Sequence, residues 1–204
     1  MDDPGLVAVT KGLSTESLLR GYTAGCFPWS GRPARWYCPD PRAIFDLENV
    51  HFSRRLLRTV RKGAFDITFD TAFRWVMESC VEAHQESCWI DSEIIEKYTA
   101  FHKQGYAHSV EAWLDDELVG GLYGVHIHGL FAGESMFSRR TDASKVAFYH
   151  LVEKLRDLKV ELFDAQVLNP HTQSLGAFEI TREEFLARLA KAVQREGSGI
   201  SIWR

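Results

Sequence analysis

The chain has 204 residues, of which 45% are hydrophobic and 12% aromatic, which predicts one large domain or one domain with a small appendage. Its net charge of −4 argues against a protein coated in nucleic acid but leaves room for a local basic patch. Apolar runs of membrane-spanning length and the regions of a signal peptide are both missing, so we expect a cytoplasmic protein that is not attached to a membrane.

The first 50 residues are predicted to form a small N-terminal piece packed on a main domain that covers residues 51–204. Ser14 fits a helix N-cap, and Gly25 fits the end of that helix. Residues 26–43 contain four prolines and several aromatic rings, so we expect an irregular segment that is either packed or forms the wall of a binding site.

Residues 53–62 fit an amphipathic helix with a basic face. This face is either plainly solvated or, together with Arg139, Arg140 and Lys145, a track for phosphates. A strand at 65–69 follows, Asp70 is expected to cap the next helix, and a helix at 92–104 ends before Gly105. The basic residues of the face are Arg54, Arg58, Arg61 and Lys62.

Residues 108–137 alternate like a β-meander, with turns at Asp115-Asp116 and His128-Gly129. A helix at 142–158 and a strand at 160–168 follow. This order predicts an α/β (α+β) fold: a GNAT-like acyltransferase domain with a mixed, largely antiparallel sheet flanked by helices. Residues 138–145 stand where acetyltransferases of that fold carry a glycine-rich pyrophosphate loop, which suggests a donor other than coenzyme A.

Two acidic residues stand in otherwise apolar strands. Asp164 shares a strand face with Gln166, and Glu134 lies in the segment FAGESMF. A buried carboxylate is costly without a partner. Each acid is therefore either a structural hydrogen-bonding group or part of a functional site, with Glu134 as a receptor for a cation.

Other candidates have simpler explanations beside the functional ones. His126 and His128 share a strand face at a spacing that could begin a zinc site, but no third ligand follows, so a polar hairpin end and no metal are expected. Asn169 is a good N-cap and also stands where substrate-facing groups lie in GNAT folds. Trp29 and Trp89 fit either core packing or stacking on nucleic-acid bases.

Several segments resemble leucyl/phenylalanyl-tRNA–protein transferases, over about residues 5–185. The most specific are GESMFSR at 133–139 and DAQVLNPHTQSLGA at 164–177. The others are GCFPW (25–29), the basic helix (53–62), HSVEAW (108–113), ELVGGLYGV (117–125) and ASK (143–145).

The resemblance implies an enzyme that moves Leu, Phe or, as a third candidate, Met from aminoacyl-tRNA to the N-terminal amine of a protein that begins with Arg or Lys, marking it for N-degron degradation. It implies Asp164 and Gln166 as catalytic residues, and Glu134 and Asn169 at the acceptor. Whether Asp164 acts as a base or only orients Gln166 stays open; a carboxyl pKa of about 3.9 makes it a poor base for the amine and favours its polarising Gln166. It places Trp29 and Trp89 near the terminal adenosine, and the basic residues 54, 58, 61, 62, 139 and 145 on tRNA. The implied amino-acid pocket is Leu122, Phe131, Met136, Phe148, Leu151 and Phe163.

An activated donor ester needs neither ATP nor a metal, so no cofactor is expected, and the expected state is a monomer. Two other functions stay open on the sequence. One is a coenzyme A-dependent acetyltransferase, against which the missing glycine loop counts. The other is a non-catalytic reader of basic N-terminal residues, which would use Glu134 but not the pair Asp164 and Gln166.

Overall fold

In the computed structural model of the chain, residues 4–84, 89–194 and 203 are described. They form two sheets. The strands are β1 (Leu6–Thr10), β2 (Phe27–Pro28), β3 (Ala34–Tyr37), β4 (Arg42–Phe45), β5 (Asp66–Phe69), β6 (Ala107–Leu114), β7 (Glu117–Ile127), β8 (Leu130–Ser138), β9 (Leu162–Gln166) and β10 (Phe178–Ile180).

Helices cover the sheets. They are α1 (Thr15–Thr23), α2 (Arg54–Arg61), α3 (Phe73–Ala83), α4 (Ser92–Lys103), α5 (Ala143–Asp157), α6 (Pro170–Ser174) and α7 (Arg182–Ala192). Within the described ranges, no helix is both long and apolar enough to cross a membrane.

The predicted meander is confirmed as β6, β7 and β8, three of the seven strands of the larger sheet, whose strand order is β10-β4-β9-β8-β7-β6-β5. Asp115 and Asp116 have φ values of 52° and 61°, as the two central residues of a tight hairpin turn require. The expected fold class is confirmed: the sheet is antiparallel except for the β8–β9 pair, which α5 connects.

The sheet is buried on both faces. On one face α5 packs through Phe148, Leu151 and Leu155, and on the other α3 and α4 pack through Met77 and Ile94. The start of α5 lies directly on β7, since a Cβ atom on Gly120 would come within 2.6 Å of the Ala143 Cβ atom. The parallel pairing of β8 with β9 ends at Ala132 and Asp164, and a cavity opens beyond that point.

The expectation of an irregular segment at 26–43 holds for 29–33 and 38–41 but is wrong for the residues that form strands. This stretch contains β2 and β3 of the smaller sheet, whose order is β1-β3-β2, and the first residues of β4. Pro28 is tolerated because β2 is an edge strand, where a missing N–H costs no ladder bond. Trp36 and Tyr37 are buried, so the aromatic rings serve packing as well as the cleft wall.

Asp70 does not cap α3, which begins after Ala72 without a side-chain cap. Its carboxylate instead contacts the ring of His108 at 2.8 Å and accepts the backbone N–H of Ser109 at 3.0 Å. Asp70 follows β5 with a φ of 58°, and its short side chain contacts β6 instead of the start of α3.

The predicted boundary at residue 50 stays a prediction, and the sheet topology favours an earlier position. Strand β4 falls within the first 50 residues, yet it pairs with β9 and β10 in the larger sheet. We propose that the N-terminal piece ends near residue 41, where the chain passes from one sheet to the other.

Candidate active site

A cavity of about 590 Å³ opens between the ends of β8 and β9, the start of α5 and the end of α3. Its inner wall is apolar and its floor is polar. Five of the six residues expected in an amino-acid pocket line it: Leu122, Met136, Phe148, Leu151 and Phe163.

Phe131, the sixth residue of the expected pocket, does not line the cavity. Its fully buried ring packs edge-on against the Phe163 ring, with the centroids 5.3 Å apart. Phe131 therefore supports the cavity wall from behind.

Glu134 and Gln166 meet on the cavity floor. The Gln166 Nε2 atom donates a hydrogen bond to Glu134 Oε1 at 2.8 Å. Tyr22 donates to the same carboxylate oxygen at 2.6 Å, and the hydroxyl of Tyr98 contacts both the Tyr22 hydroxyl and, at 3.5 Å, Glu134 Oε2. Neither tyrosine was predicted, because a tyrosine on the apolar face of a helix looks like a core residue in the sequence.

Burial raises the pKa of Glu134 to about 8, although hydrogen bonds from Tyr22 and Gln166 favour its ionised form. The nearby charge of Asp164 also raises this pKa, whereas the charge of Arg42 lowers it. A carboxyl group that titrates near neutral pH, in a cavity, is typical of a functional site. Its ionised form is suited to hold a cation that enters the cavity.

Asp164 lies behind the cavity in a buried ion pair with Arg42. The guanidinium donates from Nε to Oδ1 at 2.8 Å and from Nη2 to Oδ2 at 2.6 Å. It also lies over the rings of Phe27 and Phe185, at 4.8 and 4.3 Å from their centroids. Sequence reasoning missed Arg42, although a buried aspartate implies that some cationic partner exists.

Gln166 has an unusual backbone conformation, with a φ of 65°. Asp164 Oδ1 accepts the backbone N–H of Gln166 at 2.8 Å, and the register of β4 against β9 shifts at the same place, between Ala43 and Ile44. The left-handed conformation costs a non-glycine residue about 1–2 kcal/mol. Asp164 thus fixes the backbone of Gln166, while the side chain of Gln166 is oriented by Glu134.

Asn169 lines the cavity and caps α6. Its Oδ1 atom accepts the backbone N–H groups of His171 and Thr172, both at 2.9 Å. The same cavity wall contains His171, whose Nε2 lies 2.8 Å from the Met136 sulfur and whose pKa is lowered by burial. Both explanations offered for Asn169 are therefore compatible, since its oxygen caps the helix while its NH₂ group donates no hydrogen bond to any residue that the structure describes.

Trp29 and Trp89 line the mouth of the cavity. The Trp29 ring packs against Tyr37 at 4.7 Å and remains 37% exposed, which leaves an indole surface for a flat ligand. The loops around them are joined by a hydrogen bond from the Gly31 N–H to Asp91 Oδ2 at 2.9 Å.

The basic residues expected to bind tRNA lie in three separate places. Arg54, Arg58 and Arg61 line a separate shallow groove on α2, with Lys62 exposed at the end of the helix. Arg139 is tied to Glu82 at 2.6 Å and to the Leu118 carbonyl oxygen at 3.0 Å, so it holds the framework together. Lys145 is exposed in the first turn of α5.

The two histidines of the H-x-H pattern do not share a strand face. His126 lies one residue before the end of β7 and accepts a hydrogen bond from Trp203 Nε1 at 2.9 Å, whereas His128 lies in the following turn with a φ of 55°. Among residues 4–84, 89–194 and 203, no cluster of three or more His, Cys, Asp or Glu is arranged to hold a metal ion.

The fold and the cavity define an enzyme of the acyl-transfer type, in which an apolar chamber ends at a carboxylate–amide pair. Comparison with known families agrees. The model of the leucyl/phenylalanyl-tRNA protein transferase family matches residues 44–190, and the model of the N-terminal domain of that family matches residues 12–40. The chain belongs to this family.

Two similar relatives are both called leucyl/phenylalanyl-tRNA–protein transferase. The one from Gloeobacter violaceus is 50% identical over 89% of this chain and 94% of its own. The one from Herpetosiphon aurantiacus is 51% identical over 91% of this chain and 97% of its own. Among solved structures, a ribosomal-protein-alanine N-acetyltransferase from Brucella melitensis aligns with a TM-score of 0.32 at 20% identity, over 46% of this chain and 73% of that one, which is too distant to inform the site.

Proposed function

We propose that the protein moves Leu or Phe, with Met as a third candidate, from aminoacyl-tRNA to the N-terminal amine of proteins that begin with Arg or Lys. The observation that carries the proposal is the Glu134–Gln166 pair, which stands at the end of an apolar cavity. In this proposal the protein acts as a monomer, without a cofactor, and marks its acceptors for N-degron degradation. We place it in the cytoplasm, because that is where aminoacyl-tRNA is used.

The apolar wall receives the side chain of the donor amino acid. Leu122, Phe148 and Phe163 offer an aliphatic and aromatic surface that suits a γ-branched or aromatic side chain. A pocket of this kind separates side chains that differ by one methylene by only about 1–3 kcal/mol. We therefore expect Leu and Phe to be graded rather than strictly selected, with the terminal adenosine stacked at Trp29 and Trp89.

The acceptor enters on the polar side. Ionised Glu134 attracts the cationic side chain or amine of the acceptor, and the NH₂ group of Asn169 donates to a peptide carbonyl of the acceptor. A neutral α-amine is the attacking group, and its pKa of about 7.7–8.0 makes a useful fraction neutral near pH 7.

Gln166 orients the reacting amine. Because its NH₂ group donates to Glu134, its carbonyl oxygen is the group left to accept a hydrogen bond from the amine. The amine nitrogen attacks the ester carbonyl carbon, the new C–N bond forms, and the bond to the ribose oxygen breaks. That oxygen takes up the proton that the amine loses. Holding both substrates in one cavity removes several kcal/mol of entropic barrier.

The turn before α5 supports a donor other than coenzyme A. Asp142 occupies the N-cap position of α5 with a φ of 69°, and its carboxylate pairs with Arg55 at 3.1 Å. Asp142 makes no side-chain cap to α5, but an acidic residue at this helix end disfavours a bound pyrophosphate. The groove of Arg54, Arg58 and Arg61 instead offers phosphate contacts for the body of a tRNA.

The test is direct. The purified protein is mixed with an Arg-initiated peptide and with Leu-tRNA, Phe-tRNA or deacylated tRNA, and the peptide is weighed by mass spectrometry. The proposal expects the mass of one Leu or Phe residue to be added, and nothing to be added with deacylated tRNA. A peptide that binds but is never extended would support a non-catalytic reader instead.

A further inference from the structure

Two cysteines face each other beside the smaller sheet. Strands β2 and β3 are antiparallel with Phe27 opposite Tyr37, so the next position along this ladder sets Cys26 opposite Cys38. Both side chains are free thiols. Neither belongs to the cavity or to the proposed reaction.

The backbone geometry at this position suits a disulfide. The Trp29 N–H donates to the Arg35 carbonyl at 2.9 Å, and ladder bonds alternate along antiparallel strands, so Cys26 and Cys38 fall at a non-hydrogen-bonded pair. Such pairs have Cα atoms about 4.5 Å apart, within the range of about 4.4–6.8 Å found in disulfides.

The Cys26 thiol donates to the Ala24 carbonyl oxygen at 3.8 Å. Its interaction with Cys38, with the charges of Arg42 and Arg182, lowers the pKa of Cys38 to about 6, against the opposing effects of burial and of the Asp164 charge. The same interaction raises the pKa of Cys26. Arg182 is fixed nearby by a bond from Nη1 to the Cys38 carbonyl oxygen at 3.1 Å.

We propose that Cys26 and Cys38 form a peroxide-reactive dithiol that closes to a disulfide. The Cys38 sulfur attacks one oxygen of hydrogen peroxide, the O–O bond breaks, and a sulfenic acid and water result. The Cys26 sulfur then attacks the Cys38 sulfur, the S–S bond forms, and the hydroxyl leaves with the Cys26 proton as a second water. Two thiols are oxidised and one peroxide is reduced.

The solvent exposure of Cys26 and a comparison with Cys80 support this assignment. Cys26 is partly exposed, which gives a small oxidant a route to the pair, whereas Cys80 is fully buried in α3. At pH 7 an ordinary thiol is only a few per cent thiolate. We therefore expect Cys38 to be alkylated roughly tenfold faster than Cys80 in the folded protein.

The test uses the full chain and hydrogen peroxide. After exposure, remaining thiols are alkylated and the protein is cut with trypsin, which separates Cys26 in peptide 21–35 from Cys38 in peptide 36–42. We expect these two peptides to be joined and to come apart on reduction. The proposed aminoacyl transfer plays no part in the readout, so either result stands independently of it.

Three variants make the result specific. In Cys26→Ser, the Cys38 sulfenic acid has no resolving thiol and should be trapped by dimedone. In Cys38→Ser, Cys26 should stay reduced, and Cys80→Ala should leave the joined peptides unchanged. The proposal is overturned if both thiols remain open to alkylation at peroxide doses that oxidise glutathione, or if wild-type Cys38 is trapped as a sulfenic acid without joining Cys26.

Discussion

Arg42 and Asp164 form a two-bond ion pair in which the side chains are only 1% and 2% exposed. The pair lies behind the cavity, and through the backbone N–H of Gln166 it fixes the residue that faces the substrates. It is thus the structural connection between strand β4 and the proposed chemistry on β9.

Removing one partner of this pair should be costly. We expect Arg42→Ala to lower the free energy of unfolding by about 3–5 kcal/mol, because it leaves a buried carboxylate without its counter-ion. The free energy of unfolding of Arg42→Lys should lie between those of the wild type and Arg42→Ala, since lysine keeps the charge but cannot form the forked contact. Urea unfolding measures both.

A double variant separates stability from catalysis in this pair. Arg42→Met with Asp164→Leu replaces both charges by apolar groups, which often restores stability. We expect most of the stability to return while the turnover number stays low. Recovery of turnover in the double variant would remove the ion pair from the mechanism.

Glu134 gives the protein a specific pH dependence. Its pKa of about 8 lies above the ordinary value of about 4.3, so the folded state binds more protons between these pH values. The contribution of Glu134 to the free energy of unfolding is fully present below about pH 4.3 and is lost as the pH rises through about 8. Glu134→Gln should flatten this decline in unfolding experiments.

The same titration should govern acceptor binding. Affinity for an Arg-initiated peptide should rise with pH as Glu134 ionises, and Glu134→Gln should lose this rise, while the titration of the peptide amine persists in both proteins. Glu111 is a matched control, since burial raises its pKa too but it lies outside the cavity. If the Glu111→Gln protein also loses the rise in affinity with pH, the rise does not come specifically from Glu134.

The cavity wall should set the choice of donor. Leu151 is buried on α5 and faces the cavity. Leu151→Phe fills part of this space, so we expect transfer of Phe to fall at least about tenfold more than transfer of Leu. Leu151→Met, which nearly conserves volume, is the control. Equal losses for Phe and Leu would show that the side chain of the donor amino acid does not lie beside Leu151.

The groove on α2 should bind phosphates. Reversing the charges of Arg54 and Arg58 should weaken tRNA binding and lower the slope of its salt dependence by about one for each lost phosphate contact. Arg20→Glu with Arg188→Glu, which reverses two exposed arginines outside the groove, changes the net charge by the same amount and is the control. If this control variant loses as much affinity as the groove variant, the effect comes from long-range charge and not from contact.

The meander could be read from the sequence because its signals are local. Alternation along β6, and turn residues such as Asp115 and Asp116, depend on neighbours only. Glu134 and Gln166 could be singled out because polar groups in apolar strands are unusual, but their contact could not, since 32 residues separate them.

The remaining features depend on distant parts of the chain. Arg42 lies 122 residues from Asp164, in a segment that its prolines made look irregular. Phe131 and Leu122 could not be distinguished, because both faces of the sheet are buried and alternation does not tell which face opens into a cavity. The left-handed backbone of Gln166 leaves no sign in its residue type.

The measurement that tests the account most directly compares Gln166→Gly with Gln166→Ala. Glycine suits the φ of 65°, so we expect the glycine variant to stay within about 1 kcal/mol of wild-type stability and the alanine variant to be less stable. Single-turnover transfer from Leu-tRNA to an Arg-initiated peptide is then measured with both substrates saturating. We expect a loss of at least about 100-fold in both variants, despite their different stabilities. Wild-type transfer by the glycine variant would show that the Gln166 side chain does not orient the amine.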